Sequence, residues 1–109
     1  MKIGQEIIVK EDLTIKSMLS KNIIHIKVGD KALVTKLGIK YLSGEGRGKI
    51  KIDNKKDNIS GYDIENISKR IALKIKNEFG YDFDYYLEEN ELIMQDLIDI
   101  IEDELSEYI

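Results

Sequence analysis

Short runs of alternating or β-branched apolar residues, separated by glycine turns, fill the first half of the chain. The clearest runs lie within residues 28–53, where Ala32–Thr35, Ile39–Leu42 and Lys49–Asp53 have the composition of strands. Glycine supplies the positive φ angles that tight turns need, and glycines stand between these runs. The pattern therefore predicts three short strands joined by tight turns.

Two further strands are predicted upstream, at Gln5–Lys10 and Ile23–Lys27. In the second of these, Ile24 and Ile26 fall on one face. The intervening segment Glu11–Asn22 fits neither period, and we expect a long loop there, with at most one helical turn, that crosses the sheet. Strands this short leave open edges, which closure into a barrel removes. We therefore expect a small SH3-like β-barrel of about five strands.

After residue 60 the hydrophobic period becomes that of an α-helix. Ser60 starts a capping-box spacing that ends at Asp63, although Asp63 also suits the N-cap itself. Gly80 is expected to end this helix as a C-cap. The apolar stripe of the helix is Ile64, Ile67, Ile71, Ile75 and Phe79. Its opposite face carries Lys69, Arg70, Lys74 and Lys76.

The last thirty residues predict an aromatic connector and a second helix. Four aromatic residues lie in Tyr81–Leu87, and we expect them to form a core plug, with an exposed binding patch as the alternative. Asn90 is a candidate N-cap for the second helix. The apolar stripe of this helix is Ile93, Leu97, Ile101, Leu105 and Tyr108, and its other face is acidic. The predicted fold class is therefore α+β, with the barrel followed by a two-helix C-terminal hairpin.

Length and composition favour one domain over residues 1–109, with a barrel part at 1–56 and a helical hairpin at 60–109 packed on it. The chain has no cysteine, which excludes disulfides and thiolate chemistry. Met1–Lys10 has no apolar run long enough for a signal peptide, and no segment approaches the length of a membrane helix. We therefore expect a cytoplasmic protein with no membrane partner.

The net charge of −4 conceals an uneven distribution of charged residues. Residues 1–80 contain all 17 Lys and Arg with 10 acids, which gives +7, whereas residues 81–109 contain 11 acids and no base, which gives −11. Acids late in a helix are opposed by the helix dipole, so a cationic surface should offset them. Two interpretations stay open: the two segments neutralise each other inside the molecule, or the acids meet a partner.

Two resemblances accompany these patterns. The phrases Val28–Thr35, Tyr41–Gly44 and Gly46–Ile50 resemble the strand and turn pattern of SH3-like and KOW-type barrels. Together with Gly61–Ile67, the chain also resembles small uncharacterised proteins of phages and conjugative elements in low-GC Gram-positive bacteria. The second resemblance implies an accessory role and supplies no catalytic residues.

Several motifs lack the full pattern of a catalytic or ligand site. Ser43–Lys49 is glycine-rich, but a strand rather than a helix follows it, so a hairpin turn explains it better than a phosphate loop. His25 is the sole histidine, which is too few for a multi-histidine metal site. The Asp82-x-Asp84 spacing lacks the glycine and glutamate of a calcium loop. We predict no catalytic residue, metal or cofactor.

The sequence therefore favours a small non-catalytic accessory protein that binds another protein, as an inhibitor or regulator with an acidic helix. One version is DNA mimicry, in which the acids imitate phosphates. The alternative is nucleic-acid binding through Lys31, Lys36, Lys40, Arg47, Lys49 and Lys51. An enzyme ranks last, and the oligomeric state is left open. The candidate partner-binding residues are Arg47, Lys49, Asp96, Asp99, Glu102 and Asp103.

Overall fold

The computed structural model describes residues 1–17, 19–52 and 58–109. These ranges contain two compact units, Met1–Tyr62 with the strands and Asp63–Ile109 with the helices. The elements in chain order are β1 (Glu6–Ile8), β2 (Leu13–Lys16), β3 (Ile23–Ile26), β4 (Lys31–Thr35), β5 (Gly38–Tyr41), β6 (Ile50–Ile52), α1 (Ile64–Glu89) and α2 (Met94–Ser106). The α+β class is thus confirmed, whereas a single domain with the helices packed on the strands stays a prediction.

The strands of the first unit form two antiparallel sheets. One has four strands in the order β1-β4-β5-β6, and the other is the pair β2-β3. Over the described residues these strands do not close into a barrel, so the SH3-like barrel is not confirmed. The predicted strands at Ile23–Lys27 and within residues 28–52 are present with nearly the same bounds. Asp53 lies outside the described residues.

The predicted loop at Glu11–Asn22 is wrong, because strand β2 occupies Leu13–Lys16. Leu13 and Ile15 alternate with exposed neighbours and pack against the core, opposite Ile26 and Ile24 of β3. An alternation of only four residues is too short to stand out from its polar surroundings in the sequence. The extra strand explains why the unit forms two sheets rather than one.

The core of the first unit lies between these two sheets. Alternate residues of β3, β4 and β5 point inward, in agreement with the period of two that a strand requires. Ile26 and Val34 are the most deeply buried of the large aliphatic residues. The cluster consists of Val9, Ile24, Ile26, Ala32, Val34, Ile39 and Tyr41, with Ile7, Leu13, Ile15 and Ile59 packed against it.

The turn between β5 and β6 reaches across to the smaller sheet. A β-carbon placed on Gly46 would overlap the Cδ1 atom of Ile26 and would lie 3.5 Å from the ring of Tyr41. Gly46 is buried and lies outside the left-handed region, so the need for glycine here is steric. The absence of a side chain at position 46 therefore lets this turn close over the core.

The second unit begins at an N-cap that the sequence identifies. The Asp63 carboxylate accepts a hydrogen bond of 3.0 Å from the N–H of Asn66, which confirms Asp63 as the cap. Within α1, Ser68 and Ala72 are fully buried, whereas Ile71 is exposed and Phe79 is 65% exposed. The most buried positions of α1 before Gly80 are therefore small residues, and Ile64, Ile67 and Ile75 of the predicted stripe are half-buried near them.

Helix α1 breaks at Gly80 and then continues. Gly80 has φ 56° and ψ −128°, which is outside helical geometry, so a break lies at the predicted C-cap residue, but α1 continues beyond it and ends at Asn90. The predicted connector at Tyr81–Leu87 is wrong, because these residues are helical. Asn90 does not start the next helix. It ends α1, where its side-chain amide donates to the carbonyl of Tyr86 at 2.8 Å.

Helix α2 begins at Met94 and contacts α1. The carboxylate of Asp96 accepts a hydrogen bond of 2.8 Å from the N–H of Ile93 and so caps the first turn. The inward stripe of Leu97, Ile101 and Leu105 is half-buried. The predicted helical pair is thus present, with α1 longer than predicted and α2 shorter.

Substitution of Gly46 by alanine should destabilise the first unit by about 1–3 kcal/mol, because the added methyl displaces the buried Ile26 side chain. The measurement is the free energy of unfolding by urea. In an Ile26→Val background, which lacks the Cδ1 atom, the same substitution should cost about 1 kcal/mol less. Equal costs in the two backgrounds would contradict the steric explanation.

Candidate interaction surfaces

The glycine-rich turn from Ser43 to Gly48 is fixed by side-chain contacts to both sheets. The Glu45 carboxylate accepts a hydrogen bond of 2.6 Å from the N–H of His25 on β3. The Ser43 hydroxyl oxygen accepts one of 2.9 Å from the N–H of Lys31 on β4. The turn therefore connects the two sheets through its own side chains.

The same turn does not have the chemistry of a phosphate loop. The N–H groups of Arg47, Gly48 and Lys49 donate to the carbonyls of Gly44, Tyr41 and Gly46, at 3.2, 2.9 and 2.8 Å. A phosphate cradle requires such N–H groups to point at the ligand. Here they close the turn instead.

The two candidate cations of the turn, Arg47 and Lys49, have exposed side chains. Neither forms an ion pair among the described residues. Both side chains are therefore accessible to an anionic partner. The N–H groups of Arg47, Gly48 and Lys49 would not bind that anion as well, because they already donate to carbonyls of the turn.

His25 is exposed on β3 and lies opposite Thr14 of β2. It borders an open depression of about 210 Å³ lined by Asp12, Leu13, Thr14, His25, Ile26 and Lys27. The Asp12 carboxylate is occupied there, because it accepts from the N–H of Val28 at 2.8 Å. Across the described ranges, no group of three or more His, Asp or Glu residues is placed to hold a metal ion.

The four candidate acids lie on α2, where the helix brings them onto one side. Asp96, Asp99 and Asp103 are exposed at helical spacings of three and four residues, and Glu102 beside them is half-buried. Asp99 accepts a hydrogen bond of 2.8 Å from the side-chain amide of Gln95. We call Asp96, Asp99, Glu102 and Asp103, with the exposed Ile100 among them, the α2 face.

Within the second unit, the acids of the α2 face form no ion pair among the described residues. The ion pairs of this unit, Lys69 with Glu65 at 3.0 Å and Lys76 with Asp84 at 3.9 Å, both lie in α1. The last turn of α2 also lacks a basic residue. Paired cations of the helical unit therefore do not neutralise these acids.

The predicted core plug of aromatic residues is wrong for its three tyrosines. Tyr81 is 82% exposed, and Tyr85 and Tyr86 are more than half exposed, while Phe83 is half-buried beside the buried Leu87. Because residues 81–89 are helical, Phe83 and Leu87 share one side and the tyrosines point elsewhere. The spacing of four between Phe83 and Leu87 was the available signal.

One surface that sequence reasoning missed is the side of the four-stranded sheet opposite the core. The cross-strand row Glu6, Leu33, Lys40 and Ile50 lies there, beside the pair Ile8 and Lys31. Ile8 is 58% exposed, and Ile52 on the same side is 61% exposed. We call Glu6, Ile8, Lys31, Leu33, Lys40, Ile50 and Ile52 the outer sheet face. The alternation of residues within β4 could have predicted this surface, because it places Lys31 and Leu33 on the side opposite Ala32 and Val34.

Comparison with protein families, with curated proteins and with solved structures finds no match to this chain. The resemblances to SH3-like barrels and to proteins of mobile elements therefore stay predictions. Neither described helix combines the length and the apolar composition needed to cross a bilayer.

Replacement of Glu45 by alanine should lower the free energy of unfolding by about 0.5–1.5 kcal/mol, because it removes the hydrogen bond to the N–H of His25. Glu45→Gln keeps an acceptor and should cost less. Glu11→Ala, at an exposed glutamate without a hydrogen bond in the described chain, serves as the matched control. Equal stability of all four proteins in urea would contradict this role of Glu45.

Proposed function

We propose that this chain is a non-catalytic interaction protein that binds a basic protein through the α2 face. The observation that carries the proposal is the exposure of Asp96, Asp99 and Asp103, none of which forms an ion pair among the described residues of the second unit. The acids near the C-terminal end of α2 are also destabilised by the helix dipole. A basic partner would offset this unfavourable interaction and would reduce the repulsion among the acids. Charge complementarity of this kind accelerates association and selects partners.

The acid density of α2 supports an inhibitor that imitates nucleic acid. Residues 96–107 contain six acids, and this segment spans about 16 Å at 1.5 Å per residue. The mean spacing along the axis is therefore about 3.3 Å per charge, compared with about 3.4 Å for one strand of duplex DNA. A nucleic-acid-binding protein is accordingly the kind of basic partner that we favour.

The exposed tyrosines support the same kind of partner. Tyr81 and Tyr85 are one helical turn apart, and no Lys or Arg occurs in residues 81–109. Aromatic rings attract Arg and Lys side chains through cation–π contacts, and tyrosine is enriched among the residues that dominate interface energies. Both features of this segment thus favour cationic side chains in the partner.

We propose in addition that this activity takes place in the cytoplasm of a bacterial host, with the resemblance to proteins of phages and conjugative elements as the support. There the chain would regulate a nucleic-acid-processing protein of the host or of the mobile element. The SH3-like relationship of the first unit belongs to the same proposal. Its support is the set of short antiparallel strands joined by glycine turns.

The decisive experiment compares capture from a bacterial lysate by the wild type and by Asp99→Asn/Glu102→Gln/Asp103→Asn, read by quantitative mass spectrometry. Asp96 is left intact because it caps α2. A basic protein should be enriched by the wild type, and its affinity in a purified titration should fall about tenfold or more in the variant.

The matched control, Glu88→Gln/Glu89→Gln/Glu91→Gln, removes the same charge outside α2 and should retain the partner. Failure of the wild type to enrich any protein above a bait-free resin would contradict the proposal. Equal loss of the partner in both variants would also contradict it, because a general charge effect would then suffice.

Nucleic-acid binding through the basic residues is the second candidate function. The observation in its favour is that Lys31, Lys36, Lys40, Arg47 and Lys49 are all exposed, with Lys31 and Lys40 on the outer sheet face. Lys51 lies on the opposite side of β6 and is half-buried.

Fluorescence anisotropy with labelled duplex DNA and single-stranded RNA separates the two functions. The acidic-face proposal predicts no binding at about 50 mM salt, where phosphate contacts are strong. The second candidate predicts binding that weakens steeply by about 200 mM salt. In that case Lys31→Glu/Lys40→Glu should weaken it more than the control Lys16→Glu/Lys27→Glu on the smaller sheet.

A further inference from the structure

The outer sheet face of the first unit carries exposed apolar side chains at both edges of the sheet. Ile8 of β1 is 58% exposed at one edge, and Ile50 and Ile52 of β6 are 37% and 61% exposed at the other. Exposed apolar side chains on the edge strands of a sheet are typical of interaction surfaces. Lys31 and Lys40 are exposed between these edges and outnumber the one exposed acid, Glu6, so an occupant should offer both apolar and acidic groups.

Pairing of two identical outer sheet faces does not meet this requirement. Face-to-face packing would bring Lys31 and Lys40 of both copies into one contact, with Glu6 as the one acidic residue that each copy contributes, and this excess of positive charge is destabilising. A self-complementary contact between two sheets is therefore disfavoured.

The α2 face has the matching chemistry. Ile100 is 66% exposed, and its helical neighbours include Asp96 and Asp103. Spacing is also compatible: Asp99 and Asp103 are about 6 Å apart along the helix axis, and diagonal neighbours such as Lys31 and Lys40 lie about 7–8 Å apart. An isoleucine between carboxylates would thus meet two lysines that are flanked by isoleucines, Ile8 beside Lys31 and Ile50 beside Lys40.

We propose that the outer sheet face of one copy binds the α2 face of a second copy, so that the chain associates with itself. This inference goes beyond the proposed function, in which the outer sheet face has no role, and it does not depend on a foreign partner. A contact between two different surfaces either closes as a reciprocal pair or continues into longer assemblies. Where a basic partner is present, it would compete for the α2 face.

Analytical ultracentrifugation of the full chain tests this inference. At about 50 mM salt, the average mass should rise above the 12.6 kDa of one chain as concentration increases. At about 1 M salt, where charges are screened within about 3 Å, the mass should move back toward that of one chain. A mass of one chain at every concentration in low salt would overturn the proposal.

Charge reversal on the two faces makes the test specific. Lys31→Glu/Lys40→Glu should weaken association about tenfold or more, and so should Asp99→Lys/Asp103→Lys, because each places like charges together. A mixture of the two variants should associate again, since the acidic α2 face of the first still meets the basic sheet of the second. Failure of the mixture to associate would overturn the proposal.

Two matched controls and one apolar variant complete the design. Lys16→Glu/Lys27→Glu and Glu88→Lys/Glu89→Lys make equal charge changes elsewhere and should leave association unchanged. Ile100→Ser should weaken association without any change in charge, and circular dichroism verifies that each variant is folded. Weakening by the controls to the same extent as by the face variants would overturn the proposal.

Discussion

The first unit depends on the close approach of the Ser43–Gly48 turn to strand β3. Gly46 lies against Ile26, the most deeply buried large aliphatic side chain of the core, and Glu45 accepts from the N–H of His25 on the same strand. Neither sheet alone buries both of its faces, so the core exists only where the two meet. The turn holds the two sheets together because Gly46 has no side chain that would clash with Ile26 and because the Glu45 carboxylate binds β3.

Charge and exposure divide the surface in a way that suits recognition. The α2 face combines carboxylates with the exposed Ile100, and the outer sheet face combines lysines with exposed isoleucines. In each case an apolar side chain supplies contact area, while the charges select the sign of the partner. The tyrosines after Gly80 add flat, rigid area on the acidic half of the chain. The two units therefore expose apolar side chains beside charges of opposite sign.

The sequence was sufficient wherever local chemistry determines structure. Asp63 as a cap, a break at Gly80 and the alternation of β3 all depend on neighbouring residues, and all three are present. Strand β2 was missed because four residues of alternation have little weight beside a polar segment. The packing of the two sheets against each other was not predictable either, because it depends on contacts such as that between Gly46 and Ile26, which are twenty residues apart.

The acidic surface of α2 was predictable from the sequence, whereas the buried face of α1 was not. Helical spacing alone groups Asp96, Asp99 and Asp103, and the structure agrees. The inward face of α1 was misjudged because Ser68 and Ala72 carry too little apolar surface to mark it, although both are fully buried. Small residues at a helix contact are thus the main gap in this interpretation.

The break at Gly80 coincides with the boundary of charge, because every lysine and arginine of the chain precedes it. Its backbone angles are open to glycine and closed to residues with a β-carbon. Replacement of Gly80 by any other residue would therefore favour regular helical geometry at this position and change the direction of the helix that follows. The orientation of the eleven acidic residues after Gly80, relative to the first part of α1, thus depends on the lack of a side chain at this position.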